Sequence, residues 1–253
     1  MTEQDGVTNM SELLYGRNPV LEALKSRRSI NKLLVVQPEG SLKHIVKLAE
    51  NAGIPIQNTD RKSLDQLTRN ARHQGVVAYV AAKDYVTVED LLKEAERKNE
   101  QPLLVALDHL EDPHNLGAIL RVVDAAGAHG VIITKARSVS LSATVAKTSA
   151  GAIESVAVAR VPNLTQTLVQ LKEAGLWIVG LDGEADELIY AADWKLPTVL
   201  VVGAEGKGLS RLVKDTCDFK VRIPMAGQIN SLNASVATSV ALYEAVRQRR
   251  ERS

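Results

Sequence analysis

Cysteine, aromatic side chains and long apolar runs are all scarce in this 253-residue sequence. With one cysteine, Cys217, the chain cannot form an intrachain disulfide or a zinc site built from several cysteines. Aromatic residues make up only 3%, so the aromatic sheet surface of an RNA-recognition motif is excluded. The longest apolar run, residues 76–82, is far shorter than the ~18 residues of a membrane-spanning helix. Because the first fourteen residues are polar and carry acids, we expect no signal peptide, no membrane partner and a soluble, cytoplasmic protein.

Signatures of several enzyme classes are also missing. His109 and His114 flank two acids, but their spacing matches no ligand motif, so we expect no metal site. The nucleophile elbow G-x-S-x-G of many hydrolases does not occur. A phosphate-binding loop needs G-x-x-x-x-G-K-[ST], whereas here Val201 occupies the first glycine position and a glycine follows Lys207.

Positive charge is concentrated near the N-terminus. Residues 15–83 carry twelve Lys/Arg and five Asp/Glu, a net charge of +7, although the whole chain carries only +1. The remaining residues therefore sum to −6. Such asymmetry within one chain favours contact between the basic part and a polyanion, and we expect that polyanion to be a nucleic acid.

Two α/β blocks are predicted, from residues 13 to 84 and from 102 to 253. In the first block, strands at 33–36, 54–56 and 75–81 alternate with helices, which predicts a parallel or mixed sheet. Residues 85–101 contain eight charges among seventeen residues and are predicted to be an exposed short helix or linker.

The second block predicts further strands and two prominent helices. The strands are expected at 103–107, 131–134, 155–159, 177–181, 198–203 and 219–223. One helix begins near Asn115 and ends at Gly127. The last helix is expected to begin near Ser231 and to bury one apolar face, formed by Leu232, Val236, Val240, Tyr243 and Val246.

Three loops that follow predicted strands hold most of the unusual residues, and open α/β sheets bind ligands at that edge. The first loop leads into the helix that contains Asn115 and Arg121, which we expect near its N-terminal end. The third loop, residues 223–233, precedes the last helix, where Ser231 is suited to the N-cap and Asn233 to the first turn.

The second loop, residues 202–208, contains three glycines, which let the backbone approach a ligand closely. Glu205 lies in its middle and is an unusual neighbour for a pyrophosphate.

Together these loops resemble the three motifs of the SpoU/TrmH family of RNA ribose 2′-O-methyltransferases, within the SPOUT superfamily. NLGAILRVVDAAG is similar to the first motif, VVGAEGKGLS to the second and RIPMAGQINSLNASVAT to the third. YGRNPVLEAL and HQGVVA resemble the RNA-binding domain that some members carry at the N-terminus, so the resemblance covers nearly the whole chain. It is strongest to members that methylate a guanosine of 23S rRNA. Ala234 departs from the valine of many relatives.

The resemblance implies a trefoil-knotted α/β catalytic domain, with the C-terminal segment threaded through an earlier loop, and a smaller N-terminal α/β RNA-binding domain. It also implies a homodimer, 23S rRNA or its precursor as substrate, and S-adenosylmethionine as methyl donor without a metal. The implied cofactor-binding positions are Gly203, Ile223 and Leu232, so we expect valine at Gly203 to occupy cofactor space and to leave the fold intact. The implied catalytic positions are Asn115, Arg121, Glu205, Ser231 and Asn233.

These residue types suit methyl transfer to a hydroxyl. The ribose 2′-hydroxyl loses its proton as it attacks the methyl group, and no metal is needed because the positive charge of the donor disappears. Arg121 is suited to hold the neighbouring phosphate and to stabilise the developing alkoxide. A guanidinium stays protonated, so we expect water or a phosphate oxygen, not Arg121, to take the proton.

Three alternatives stay open at this point. The first is a tRNA 2′-O-methyltransferase of the same family. The second is a non-catalytic RNA-binding protein, which absence of Arg121 or Asn233 would favour, but both are present. The third is a nucleotide-dependent dehydrogenase, which fits poorly because only 45 residues follow Gly208.

Overall fold

A computed structural model describes residues 12–26, 28–81 and 83–250. The first eleven residues, where we expect no signal peptide, lie outside the described residues, as do Arg27 and Ala82 and the last three residues. The chain divides into two compact units. The smaller unit comprises the residues up to Asp84 and Leu141–Glu154, and the larger comprises Tyr85–Ser140 and the residues from Ser155 onward.

The elements are given in chain order. Up to residue 84 they are β1 (Glu12–Tyr15), α1 (Arg17–Lys25), β2 (Ile30–Val35), α2 (Ser41–Asn51), β3 (Ile56–Asn58), α3 (Arg61–Leu67) and β4 (Val76–Val80). Then follow α4 (Val88–Arg97), β5 (Leu103–Asp108), α5 (Pro113–Ala126), β6 (Gly130–Thr134), α6 (Ala143–Thr148), α7 (Ala152–Ser155), β7 (Val158–Val161), α8 (Leu164–Glu173), β8 (Trp177–Leu181), β9 (Glu187–Leu188), β10 (Thr198–Gly203), α9 (Arg211–Thr216), β11 (Phe219–Arg222) and α10 (Ala234–Arg250). None of these helices has the length and apolarity needed to cross a membrane.

The smaller unit contains a mixed four-stranded sheet, in the order β1-β4-β2-β3. β4 is antiparallel to both β1 and β2, whereas β2 and β3 are parallel. Leu34, Leu64 and Val77 form a buried cluster against this sheet. The mixed sheet agrees with the prediction for the first block, although β1 was not predicted.

Residues 141–154 belong by their contacts to the smaller unit, whereas the sequence assigned all of 102–253 to the second block. Helix α6 packs on β1. Arg28 Nη1 lies 2.7 Å from Glu154 Oε1, and both side chains are buried. A buried ion pair between residues so far apart leaves no local pattern, so the sequence could not indicate this grouping.

The stretch predicted as an exposed helix or linker, residues 85–101, is part of the larger unit. Its helix α4 begins with a capping box between Thr87 and Asp90. Leu91 and Ala95, one turn apart, are fully buried in the core of the unit. A narrow apolar stripe anchors this helix despite its many charges, so of the two predicted forms the structure has the short helix, with one side buried.

The larger unit is built on a parallel seven-stranded sheet, in the order β7-β6-β5-β10-β8-β11-β9. Gly203 at the end of β10 lies opposite Asp108 at the end of β5. Because the strands are parallel, the loops after β5, β8, β10 and β11 share one edge of the sheet, where open α/β folds bind ligands. The strand predicted at 155–159 is displaced to Val158–Val161, because a short helix, α7, precedes it.

The last helix buries a different face from the predicted one. α10 packs on α5, and most of its buried residues are small, among them Ala234, Thr238 and Ala241. Val236 and Tyr243, which were expected to be buried, are 47% and 52% exposed. Small residues let the two helices pack closely, and the larger apolar side chains are consequently left at the surface of the chain.

Candidate active site

Asn115, Glu205 and Asn233 form a hydrogen-bonded group at the carboxyl edge of the large sheet, which we call the amide–carboxylate cluster. Asn233 Nδ2 donates to Asn115 Oδ1 at 2.9 Å. Asn115 Nδ2 donates to Glu205 Oε2 at 3.3 Å, and Asn233 Nδ2 approaches the same oxygen at 3.4 Å. The structure thus brings together three of the predicted site residues, one from each of the three loop regions.

Asn233 has a second task at the start of α10. Its Oδ1 accepts hydrogen bonds from the backbone N–H of Ser235 at 2.9 Å and from the Ser235 hydroxyl at 2.6 Å. This is the geometry of a helix N-cap, so the cap is Asn233 and not Ser231, contrary to the sequence prediction. Because capping fixes the amide oxygen, it also orients Nδ2 toward Asn115.

The glycine loop folds tightly on itself. The Gly208 N–H donates to the Ala204 carbonyl at 2.9 Å, and Gly206 and Gly208 both have positive φ. A Cβ on Gly203 would lie 2.1 Å from the carbonyl carbon of Gly208. The missing side chain is therefore needed by the loop itself, and the expectation that valine there would leave the fold intact is wrong.

A cavity of about 630 Å³ lies among the loops that follow β8, β10 and β11. Five of the predicted site residues line it: Gly203, Glu205, Ile223, Ser231 and Leu232. Backbone of the glycine loop and apolar side chains share its wall, so it offers both polar and apolar contacts to a small molecule.

Three charged residues of the same cavity, Asp182, Glu184 and Lys214, were not predicted from the sequence. Lys214 Nζ lies 2.5 Å from Asp182 Oδ2 and 3.5 Å from Glu184 Oε2. Burial acts to raise the pKa of Asp182, but the hydrogen bond from Lys214 outweighs it together with other contacts, and the pKa is lowered. Asp182 directly follows a correctly predicted strand, so the rule used for the other loops would have found it.

Asp108, at the end of β5, was also missed. Its buried carboxylate accepts the backbone N–H of Ser210 at 2.6 Å through Oδ2. His109 Nδ1 lies 2.7 Å from the other oxygen. Asp108 thus fastens the end of the glycine loop to the neighbouring strand.

Arg121 is separate from the cluster. It is an exposed residue of α5, more than two turns into the helix, and does not line the cavity. Six residues along a helix correspond to about 600° of rotation, so Arg121 and Asn115 point about 120° apart. The expectation that both lie near the helix N-terminus is met only by Asn115.

Among the described residues, no group of three or more His, Cys, Asp or Glu side chains could hold a metal ion.

Residues 102–243 match the model of the SpoU rRNA Methylase family, which covers more than half of the chain. The chain belongs to the SpoU family of RNA methyltransferases. Residues 13–86 of this SpoU protein match a second model, described as RNA 2′-O ribose methyltransferase substrate binding.

Relatives and solved structures agree with this assignment. The SpoU chain is 50% identical over 245 residues to YacO of Bacillus subtilis (strain 168), named as a TrmH family tRNA/rRNA methyltransferase, covering 96% of this chain and 98% of the relative. The SpoU methyltransferase AviRb of Streptomyces viridochromogenes, crystallised with AdoMet, superposes with a TM-score of 0.80 at 28% identity, covering 94% and 90% of the two chains. An AdoMet-bound rRNA methyltransferase of Sinorhizobium meliloti gives a TM-score of 0.79 at 27% identity, covering 94% and 87%.

Proposed function

We propose that this SpoU protein transfers a methyl group from S-adenosylmethionine to the 2′-hydroxyl of a guanosine in 23S rRNA. The observation that carries the proposal is the amide–carboxylate cluster beside the cavity that the loops after β8, β10 and β11 line. The names of relatives pair tRNA with rRNA, so tRNA is the competing substrate. A cytoplasmic location, where such RNA is found, belongs to the same proposal.

The residues of the cavity fit the methyl donor. S-adenosylmethionine supplies a methyl group on a positively charged sulfur. A volume of about 630 Å³ falls within the ~300–1,000 Å³ of small-molecule pockets. Ile223 and Leu232 offer apolar contacts, and Gly203 and its loop offer backbone. The two carboxylates of Asp182 and Glu184 share one cation, Lys214, so one negative charge is left to complement a cationic ligand.

The cluster acts in this proposal by positioning. Glu205 is held by the amides of Asn115 and Asn233, so its carboxylate keeps one orientation beside the cavity. Ser231 lines the same wall with an exposed side chain and is available to the ribose. Groups fixed in advance lower the entropic cost of aligning a hydroxyl for in-line attack.

Arg121 acts in this proposal on the RNA and not on the methyl donor. Its exposure and its position outside the cavity wall suit a guanidinium that meets a phosphate brought by the substrate. There it stabilises the negative charge that develops on the 2′-oxygen. The proton passes to water or to a phosphate oxygen, because the guanidinium cannot accept it.

We further propose a homodimer and a trefoil knot, as the family resemblance implies. Val236 and Tyr243 leave an apolar stripe of α10 exposed, which suits burial against a second copy of the chain. The crowding of the segment after β11 and the glycine loop around one cavity suits a threaded C-terminal segment.

The test is methylation in vitro with tritium-labelled S-adenosylmethionine. Ribosomal RNA and transfer RNA from cells that lack this protein are the two substrates. We expect label in rRNA, recovered after alkaline hydrolysis as an alkali-resistant dinucleotide that contains 2′-O-methylguanosine. Label only in tRNA overturns the substrate, label in a base overturns the 2′-O assignment, and no label in either RNA overturns the proposal.

A further inference from the structure

The smaller unit contains a cavity of its own, of about 660 Å³, which we call the arginine pocket. Arg17, Arg61 and Arg72 line it, together with the amide side chains of Gln37, Asn70 and Gln74. Val36 and the buried Leu42 add an apolar surface. The pocket therefore combines planar cations, amides and an apolar wall, which are the three kinds of contact that a nucleotide uses.

The wall of the pocket is held from within by a buried histidine. His73 Nδ1 accepts the backbone N–H of Gly75 at 3.0 Å, and Nε2 lies 2.9 Å from Asp65 Oδ1. The two bonds fix both ends of the imidazole ring, so the loop that contains Arg72 is anchored. A fixed loop preorganises the pocket for its ligand.

The arginines keep their charge available. Arg17 is held by neutral partners, the Ser41 hydroxyl at 2.9 Å and the Gln74 carbonyl at 3.2 Å. Arg61 and Arg72 are exposed and form no ion pair with any other residue that the structure describes. The pocket also contains two carboxylates, Glu39 and the histidine-bonded Asp65, so its three arginines leave a net charge of +1.

We propose that the arginine pocket binds one unpaired nucleotide of the RNA substrate. The guanidinium groups contact its phosphate and stack on its base, the base lies against Val36 and Leu42, and the amides hydrogen-bond its edge. This inference rests on the proposed function in one respect, that the substrate is RNA. It adds that the smaller unit selects a looped or bulged element over a continuous duplex.

The test measures binding of the full chain to two fluorescent RNA hairpins that differ by one bulged nucleotide. We expect the wild type to prefer the bulged hairpin, and Arg61→Ala with Arg72→Ala to weaken that binding about tenfold. Arg61→Lys with Arg72→Lys keeps the charge but loses forked and stacked contacts, so it should also lose the preference. Lys43→Ala with Lys47→Ala is the control, because it removes two exposed charges outside the pocket.

Equal affinity of the wild type for both hairpins would overturn the inference. So would equal losses in the arginine and lysine double variants, because these indicate only the general charge of the unit. Melting temperatures confirm that each variant is folded. The hairpin assay contains no methyl donor, so a protein that methylates no RNA would refute the proposed function without deciding the role of the pocket.

Discussion

The amide–carboxylate cluster and the arginine pocket are two polar regions that differ in whether their side chains bond to one another. In the cluster, Asn115, Glu205 and Asn233 bond one another. In the pocket, Arg61 and Arg72 have no ion-pair partner among the described residues. A satisfied group holds a geometry, whereas an unpaired cation is free for an anion from outside. Under the two proposals above, the larger unit orients groups for catalysis and the smaller unit supplies affinity for RNA.

Arg121 is the strongest challenge to this comparison, because it is an exposed cation in the larger unit. We expect Arg121→Ala to reduce the turnover of methyl transfer by about 10²–10³-fold, the scale of losing an oxyanion-type contact. Binding of S-adenosylmethionine, measured by calorimetry, should stay unchanged. Lys195→Ala, which removes another exposed cation of this unit, is the control. Turnover near that of the wild type would contradict a role of Arg121 in catalysis.

Asn233→Asp tests whether the amide–carboxylate cluster contributes to catalysis. Aspartate keeps the oxygen that caps α10 but loses the donor to Asn115 and Glu205. We expect turnover to fall by about 10²-fold, because small misplacements of reacting groups cost that much. The melting temperature should stay within a few degrees of the wild type. Undiminished turnover at the same melting temperature would show that Asn233 is only a cap.

Gly203→Ala tests the tight glycine loop. The added Cβ would lie 2.1 Å from the Gly208 carbonyl carbon, so we expect the loop to shift and the domain to lose about 1–3 kcal/mol. At roughly 2–4 °C per kcal/mol, scanning fluorimetry should detect this loss. Affinity for S-adenosylmethionine should fall about tenfold, equal to 1.4 kcal/mol. Gly227→Ala is the control, because its Cβ would meet nothing within 4 Å and the residue does not line the cavity. Equal behaviour of the two variants contradicts the packing argument.

His129 predicts a small dependence of stability on pH. Burial lowers its pKa, and its Nδ1 accepts the Leu103 N–H at 3.0 Å. The unfolded chain, with a histidine pKa of about 6.5, binds the proton more readily, so stability is lost as pH falls below that value. His129→Asn should flatten the dependence of melting temperature on pH between about 6.5 and 5. An unchanged slope would assign the effect to another group.

Local patterns were sufficient to predict most of the frame of the molecule. The strands at 177–181 and 198–203 are observed with the predicted bounds, because apolar runs flanked by polar turns identify buried parallel strands. The rule that ligands bind at the carboxyl ends of such strands then selected the three loop regions, and the family resemblance named Asn115, Glu205 and Asn233 within them, which the fold brings together.

Features that depend on long-range packing could not be predicted. Apolar spacing on α10 indicated Val236 and Tyr243 as buried, but the helix buries mainly alanines and a threonine instead. The grouping of residues 141–154 with the smaller unit depends on a buried pair, Arg28 and Glu154, that no local pattern shows. The loop after β8 contains Asp182, and it was missed only because the rule was not applied there.

The division of labour between the two units is tested most directly by steady-state methyl transfer with RNA as the varied substrate. Arg61→Ala with Arg72→Ala should raise the KM for RNA about tenfold and leave kcat unchanged. Asn233→Asp should lower kcat about 10²-fold and leave that KM unchanged. If both variants change the same parameter, the two regions do not have separate roles and the account is wrong.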